Sequence, residues 1–361
     1  MIASYWRILL NAEKSFMSTI KDVARLAGVS FKTVSRVVND VDSVSPTLQK
    51  KVRKAIDQLG YQPNLSARDL RGRPTSIAFI YDNPNSHYVI ELQKGILAEC
   101  RDSGYELVIH PCDSASREII QELHRLIRRV NVGGLLLTPP LSETDDVIQS
   151  LLSSNIPIVR VLSGPSAPDK LSPCVYIDDR HAACEITQHL IENGHRRIAF
   201  LSGDPEHGST GERLEGYRKA FKNNEMQLDE DLIVDGHYSF ESGVERTKQL
   251  LNLPVRPTAI FACNDEIAAG TLFAARMNDV DVPGELSIAG FEDSPFSRQV
   301  WPNVTTARQS NVGVARRATA LLIEEIGKRQ TNRGETPSDP DAVGICPELL
   351  VRESTGPVAV D

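Results

Sequence analysis

What the 361-residue sequence lacks narrows its function first. No run approaches the roughly 18 apolar residues that a membrane helix needs. The opening stretch, Met1 to Phe16, has one short apolar patch, Ile8-Leu9-Leu10, and no small-residue cleavage site, which argues against a secretory signal. Cysteines stand only at 100, 112, 174, 184, 263 and 346; no pair has CxxC spacing, so neither a zinc site nor a redox dithiol is supported. Scattered cysteines in a chain of this length read as reduced thiols of a cytoplasmic protein. No G-x-G-x-x-G or G-x-x-x-x-G-K follows the first apolar run, which removes a nucleotide phosphate cradle. No G-x-S-x-G elbow supplies a hydrolase nucleophile. Neither a cofactor nor a metal is expected.

What is present is a globular mixture, 40% hydrophobic and 24% charged, long enough for two or three domains. The net charge of −8 hides an asymmetry. Residues 17–73 carry 11 Lys+Arg against 5 Asp+Glu, while 74–361 carry 27 against 42. A basic head on an acidic body places a polyanion at the head.

In the head, Thr19 to Ala27 has apolar residues at 20, 23, 24, 26 and 27, which is helical spacing. Ser18 or Thr19 can cap it, and Asp22 suits the positive end of the helix dipole. Gly28 fits a tight corner, and Ser30 can cap a second helix, Phe31 to Asn39, whose apolar face is Val34, Val37 and Val38. Ser45-Pro46 announces a third helix that stops at Gly60. Helix, Gly turn, helix and a supporting helix make a helix-turn-helix. The spacing alone also admits a plain three-helix bundle with solvated charges.

From Ser76 the texture changes. SIAFIYD, YELVIHP, GGLLLTP, IPIVRV, RRIAFLSG, TAIFACN and LSIAGFED are strand-like and separated by single helices, the mark of βαβ units and parallel sheets. The fold class is therefore a small all-α helix-turn-helix head plus an α/β body of two doubly wound parallel-sheet lobes.

TIKDVARLAGVSFKTVSRVVND, followed by VSPTLQKKVRKAIDQLGYQPNLSARDLR, resembles the DNA-binding head of the lac repressor family of bacterial regulators (also called the GalR family), over 18–73 almost without a gap. The resemblance implies that the helix from Phe31 enters the major groove, with Phe31, Lys32 and Arg36 at base-reading positions and Thr33 and Ser35 nearer phosphates. Arginine can bridge guanine O6 and N7, and phenylalanine can pack on a thymine methyl. Thr19, Asn39 and Tyr61 fall in the same implied DNA-binding set. A hinge helix, Leu65 to Arg71, would pair with that of a second copy in the minor groove. There Leu70 wedges between base pairs, Ala67 permits close approach and Arg71 follows the groove. Asp69 is out of pattern, since an acid beside DNA must point outward or pair with Arg68 or Arg73.

The body resembles the family's effector domain, which is like a periplasmic sugar-binding protein. That implies three chain crossings between lobes, placed near 174–178, 303–306 and 328–343, and a ligand cleft beyond the carboxyl ends of the strands. The implied effector-binding residues are Tyr88, His207, Ser209, Arg213, Tyr238, Asn264, Glu292 and Trp301, with Arg213 at the position that holds an effector's oxygens. This is polyol chemistry, with aromatic faces for sugar C–H groups and charged hydrogen bonds for hydroxyls. The residues themselves leave plainer roles open. Arg213 could pair with Glu212 or Glu215, Asn264 could cap a helix, Asp265 could brace, His207 could be solvated and Trp301 could be filler. Glu292 stands where aspartate is expected. His207, Ser209, Asp204 and Glu292 also make a hydrolase-like set, but without a nucleophile motif or metal-ligand spacing.

The resulting organisation is an N-terminal extension over 1–16 (with Met17 as the alternative start), a DNA-binding domain over 17–62, a hinge over 63–73 and an effector-binding and dimerisation domain over 74–361. Its N-lobe is placed at about 74–175 and 306–328, its C-lobe at about 176–305 and 329–361. The reading is a cytoplasmic, nucleoid-associated repressor of carbohydrate-utilisation genes and not an enzyme. It would bind a palindromic double-stranded operator as a homodimer under control of a small-molecule effector, a sugar. With no heptad run before the C-terminus, a tetramerising coiled coil is not expected. The competing classes are a transport-associated sugar binder with an incidental basic head and a nucleoid protein with broad DNA binding.

Overall fold

The computed structural model describes residues 19–38, 44–59, 76–82, 87–331 and 339–358. The chain divides into two units between Arg73 and Pro74. The expectations for 1–16, Asn39, Tyr61, Ala67, Leu70 and Arg71 fall outside the described residues.

The head consists of α1 (Ile20–Ala27), α2 (Phe31–Val38) and α3 (Pro46–Leu59). Asp22 accepts hydrogen bonds from the Thr19 backbone N–H (3.0 Å) and hydroxyl (2.6 Å), which holds its carboxyl below the usual range. Gly28 ends α1 at φ +65°, a left-handed conformation that costs glycine nothing. Ser30 accepts the Thr33 N–H at 3.1 Å and so starts α2. Val23, Val34, Val37, Val52 and Ala55 close a small core among the three helices.

In the body, β1 (Ser76–Tyr81), β2 (Glu106–Pro111), β3 (Gly134–Leu137), β4 (Ile158–Ser163), β5 (Cys174–Ile177) and β11 (Ala342–Ile345) form one sheet, ordered β11-β5-β4-β3-β1-β2 and parallel throughout. One face packs on α4 (His87–Ser103) and α12 (Asn311–Thr331), the other on α5 (Ile119–Val130) and α6 (Asp145–Ser153). The second sheet is parallel, ordered β7-β6-β8-β9, from β6 (Ile198–Leu201), β7 (Ile233–Val234), β8 (Ala259–Ala262) and β9 (Ser287–Ala289). Its helices are α7 (Asp179–Glu192), α8 (Gly208–Asn223), α9 (Phe240–Leu251) and α10 (Asp265–Met277), followed by the short α11 (Pro295–Arg298). Central strands such as β1, β3, β6 and β8 are buried along their length because helices cover both faces, which is why they read as continuous apolar runs.

The first crossing falls within the expected 174–178, and the other two differ from the expectation. Residues 174–177 are still N-lobe strand β5, and the chain leaves at Asp178, whose N–H donates to Ile345 O. At the second crossing the chain stays with the C-lobe through β10 (Thr306–Arg308), which pairs antiparallel with β12 (Glu348–Leu350). Residues 306–308 therefore leave the expected N-lobe segment. The third crossing falls after Ile345, because β11 adds a sixth strand to the N-lobe sheet, so 329–331 and 342–345 leave the expected C-lobe. The cause is the edge position of β11. Its alternating, half-exposed AVGI lacks the apolar density that marks a central strand.

Candidate functional site

On α2, Val34 and Val37 face the head's core, which leaves Phe31, Lys32 and Arg36 exposed. Phe31 is 52% exposed. The Thr33 hydroxyl lies 2.9 Å from that of Ser30, so this side chain is partly engaged in the cap. Thr19 is engaged in the α1 cap. Ser35 is half-buried.

Between the lobes of the body lies a cavity of about 310 Å³, at the small end of the roughly 300–1,000 Å³ of ligand pockets. Its walls come from segments at the carboxyl ends of strands in both sheets. The structure brings Tyr88, His207, Ser209, Arg213, Tyr238, Asn264 and Glu292 together around it.

Arg213 is the charge centre and is only 3% exposed. Its Nε donates to Asp179 Oδ1 at 2.8 Å and its Nη1 to Cys263 O at 2.7 Å. Nη1 also lies 3.8 Å from Glu292 Oε1, and the guanidinium stacks 3.8 Å from the Phe291 ring centre. Glu212 pairs with Arg180 instead. The surrounding carboxylates raise the Arg213 pKa against the opposing effect of burial, so it stays charged. Burial pushes Glu292 up to about 7, with Arg213 opposing. Glu292 also holds φ +105°, a strained conformation for a side-chain-bearing residue, fixed by its N–H donating to Ala307 O at 2.8 Å.

Thr210 donates its hydroxyl to Asp204 O at 2.7 Å, so the Tyr238 hydroxyl, 2.8 Å away, donates to Thr210 Oγ1. His207 meets the Tyr238 ring edge to face, with centroids 5.8 Å apart. Burial pulls the His207 pKa down, which favours the neutral imidazole. Asn264 caps α10 by accepting the Ile267 N–H at 2.9 Å, so its oxygen is committed while the residue still lines the cavity. Asp265 braces: buried, it accepts from Thr306 Oγ1 and the Ser294 N–H, both at 2.7 Å.

Trp301, expected in the cleft, does not reach the cavity. It is 64% exposed and lies away from the cavity, over a shallow depression with Leu272 and Arg276. After Pro295 the chain makes α11 and turns back to the outer face of α10, where Arg276 donates to Trp301 O. The sequence reading missed Asp82, Thr138, Ser163, Asp179, Glu266 and Gln309 as lining residues. Asp179 carried a usable signal, since it follows the short apolar run CVYI as the other site residues follow theirs. Among the described residues there is no cluster that could hold a metal ion, and no helix is long and apolar enough to cross a membrane.

Residues 19–64 match the model of the bacterial regulatory proteins of the lacI family, and residues 187–355 match that of the periplasmic binding protein-like domain. The HTH-type transcriptional repressor PurR of Haemophilus influenzae (strain PittEE) is 33% identical over 341 residues, covering 94% of this chain and 98% of that protein. A complex of the transcriptional regulator CelR with cellobiose aligns at 29% identity and a TM-score of 0.69, covering 93% of this chain and 99% of that one. The lac repressor dimer bound to operator and the anti-inducer ONPF aligns at 26% identity and a TM-score of 0.71, covering 94% and 99%. These relatives are transcriptional regulators, not enzymes.

Proposed function

The chain belongs to the lacI family of bacterial regulatory proteins, DNA-binding transcription regulators controlled by effectors, and from that premise we propose that it represses carbohydrate-utilisation genes under control of an uncharged sugar bound in the interlobe cavity. The observation that carries the reading is the charge inventory of the cavity wall. Asp82, Asp179, Glu266 and Glu292 line it together with a single guanidinium, and that guanidinium is already committed to Asp179 and Cys263 O. A phosphate or carboxylate ligand would meet net repulsion there. A sugar donates hydroxyls to carboxylates, accepts from Arg213 and rests its C–H faces on Tyr88 and Tyr238. The CelR structure holds a neutral disaccharide, which supports the class.

At the head, Phe31, Lys32 and Arg36 read base edges, while Thr19, Thr33, Ser35, Asn39 and Tyr61 position the backbone; Ala67, Leu70 and Arg71 act at the minor groove. Two copies associate through apolar surface that the single chain leaves exposed: Ile90, Leu97 and Ile109 on the N-lobe, Phe273 and Met277 on the C-lobe. The operator is then palindromic, and effector and operator affinities are coupled reciprocally.

The test is a thermal-shift screen of the full chain against neutral sugars, sugar phosphates, nucleobases and organic acids. A ligand at 100 times its Kd adds about 2.7 kcal/mol. A neutral sugar class should stabilise the protein and change its operator affinity. Stabilisation by phosphates, organic acids or nucleobases, with none from neutral sugars, refutes the effector class.

A further inference from the structure

The geometry points to Glu143, a residue outside the cavity wall, as a tie between the two lobes that strengthens effector binding without touching the effector. This rests on the reading of the cavity as the effector site.

Glu143 ends the single 3-10 turn Leu141–Glu143 that follows β3 in the N-lobe. The base of that turn is fixed: Leu141 and Ser142 are fully buried, and the Ser142 N–H donates to Thr138 O at 3.1 Å. From this platform one carboxylate takes two backbone donors on opposite sides of the cleft. Oε1 accepts the N–H of Ser163, at the end of N-lobe strand β4, at 3.2 Å. Oε2 accepts the N–H of Gly208, the first residue of C-lobe helix α8, at 3.0 Å.

The Gly208 N–H is one of the orphan donors at the start of a sixteen-residue helix, where the helix dipole also favours a negative charge. A Cβ at residue 208 would sit 2.7 Å from one carboxylate oxygen and 2.8 Å from the other, so glycine is what allows the approach. The next turns of α8 carry Ser209 and Arg213, so holding its first residue holds both against the N-lobe wall. The tie also joins the charge centre. The Ser163 hydroxyl donates to Asp179, and Asp179 takes the Arg213 guanidinium. Gly208, Glu143, Ser163, Asp179 and Arg213 thus form one chain of polar contacts that crosses the cleft. Opening the cleft breaks the Gly208 bond and rehydrates both groups. Glu143 therefore weights the balance toward the closed arrangement, in which the effector residues of both lobes face each other.

Glu143 is a positioning residue, and its test uses the full chain. Hydrogen–deuterium exchange needs no effector. In E143Q the amide oxygen is the one acceptor left for two donors on opposite sides, and the less exposed Ser163 side holds it, which turns the NH2 toward the Gly208 N–H. Amides 208–210 should then exchange at least tenfold faster, while those in the interior of α8 and in β6 keep their wild-type rates. E143D, one methylene short, should behave like E143Q although it keeps the charge. G208A, which pushes the carboxylate away from the other side, should reproduce the effect. Unchanged exchange at 208–210 in E143Q and G208A overturns the proposal, whatever the effector is. With the sugar found by the thermal screen, calorimetry should show a Kd about tenfold weaker in E143Q at unchanged stoichiometry. An unchanged Kd also overturns it. Failure of all sugars in the screen speaks against the effector class alone, because the exchange result stands without a ligand.

Discussion

Replacing Arg213 by methionine should cost the body far more than a lost ligand contact. The guanidinium is 3% exposed and Asp179 1%, so the substitution strands a buried carboxylate whose cation stood at 2.8 Å. Breaking such a pair from one side costs about 3–5 kcal/mol, a large share of the roughly 5–15 kcal/mol that holds a native protein together. For a unit of more than 250 residues this is a fall in Tm of roughly 6–10 °C. Glu292, already pushed to about 7 with Arg213 beside it, rises further without it. A carboxyl whose folded-state pKa is raised gives up stability as pH climbs from its unfolded value up to the folded one, so a further rise extends the loss to higher pH. The deficit of Arg213→Met should therefore be larger at pH 8 than at pH 6. Adding Asp179→Asn removes the stranded charge and keeps an acceptor for Ser163, so the double variant should recover most of the loss. The coupling should be about 2–3 kcal/mol, read from urea unfolding by circular dichroism of wild type, both single variants and the double. Costs that simply add to within about 0.5 kcal/mol would refute the claim that Asp179 holds Arg213. The same arithmetic warns that loss of effector response in an Arg213 variant reports on the site only where the fold has been shown intact.

Arg36→Ala should weaken operator binding by about 1–3 kcal/mol and flatten the preference at one base pair, seen by anisotropy across single-base operator variants; a uniform loss at every site would make Arg36 a phosphate contact instead. Leu70→Ala should weaken operator binding and leave effector affinity unchanged, and equal loss of both would contradict a wedge role. Asp265, buried and pushed up to about 8, favours its protonated form at neutral pH. Asp265→Asn mimics that form, so it should flatten the decline in stability that the wild type shows as pH rises toward 8; parallel pH profiles would contradict this. Gly95→Ala places a methyl against Val312 O and 2.7 Å from the Ala315 Cβ, where α4 meets α12. It should cost about 1–3 kcal/mol by overpacking, and a neutral result would show that the two helices can part.

What could be read from the sequence followed the strength of the local signal. Ser30, Gly28 and Ser45-Pro46 delimit helices because capping and turn chemistry are local, and the head appears where they place it. Seven of the eight effector candidates reach one cavity because each follows a strand or opens a helix at the same end of a sheet. Trp301 fails because nothing local records that the short α11 turns the chain back to the outside. Strands β10 (TAR), β11 (AVGI) and β12 (ELL) interrupt their apolar residues with charged, polar or glycine positions, so no continuous apolar run marks them, and the misplaced second and third crossings follow. Glu143 could not have been found at all: its cross-cleft donor stands 65 positions away, and only the folded chain brings the two together.

The pairing of β5 with β11 reaches into the life of the polypeptide on the ribosome. Cys174 must wait for Ala342, its partner 168 positions later in the register. At about 5–20 residues per second, that wait is roughly 10–30 s. For most of it the first lobe lacks α12 as well as β11, and throughout it the rim of β5 stays unpaired, a template for wrong partners. The head, encoded first and closed by its own small core, carries no such debt to later sequence. Nascent chains should therefore display a finished DNA-reading unit well before they display a finished effector unit. Substitutions in the modest-looking AVGI segment should lower the yield of soluble protein more than their exposure suggests.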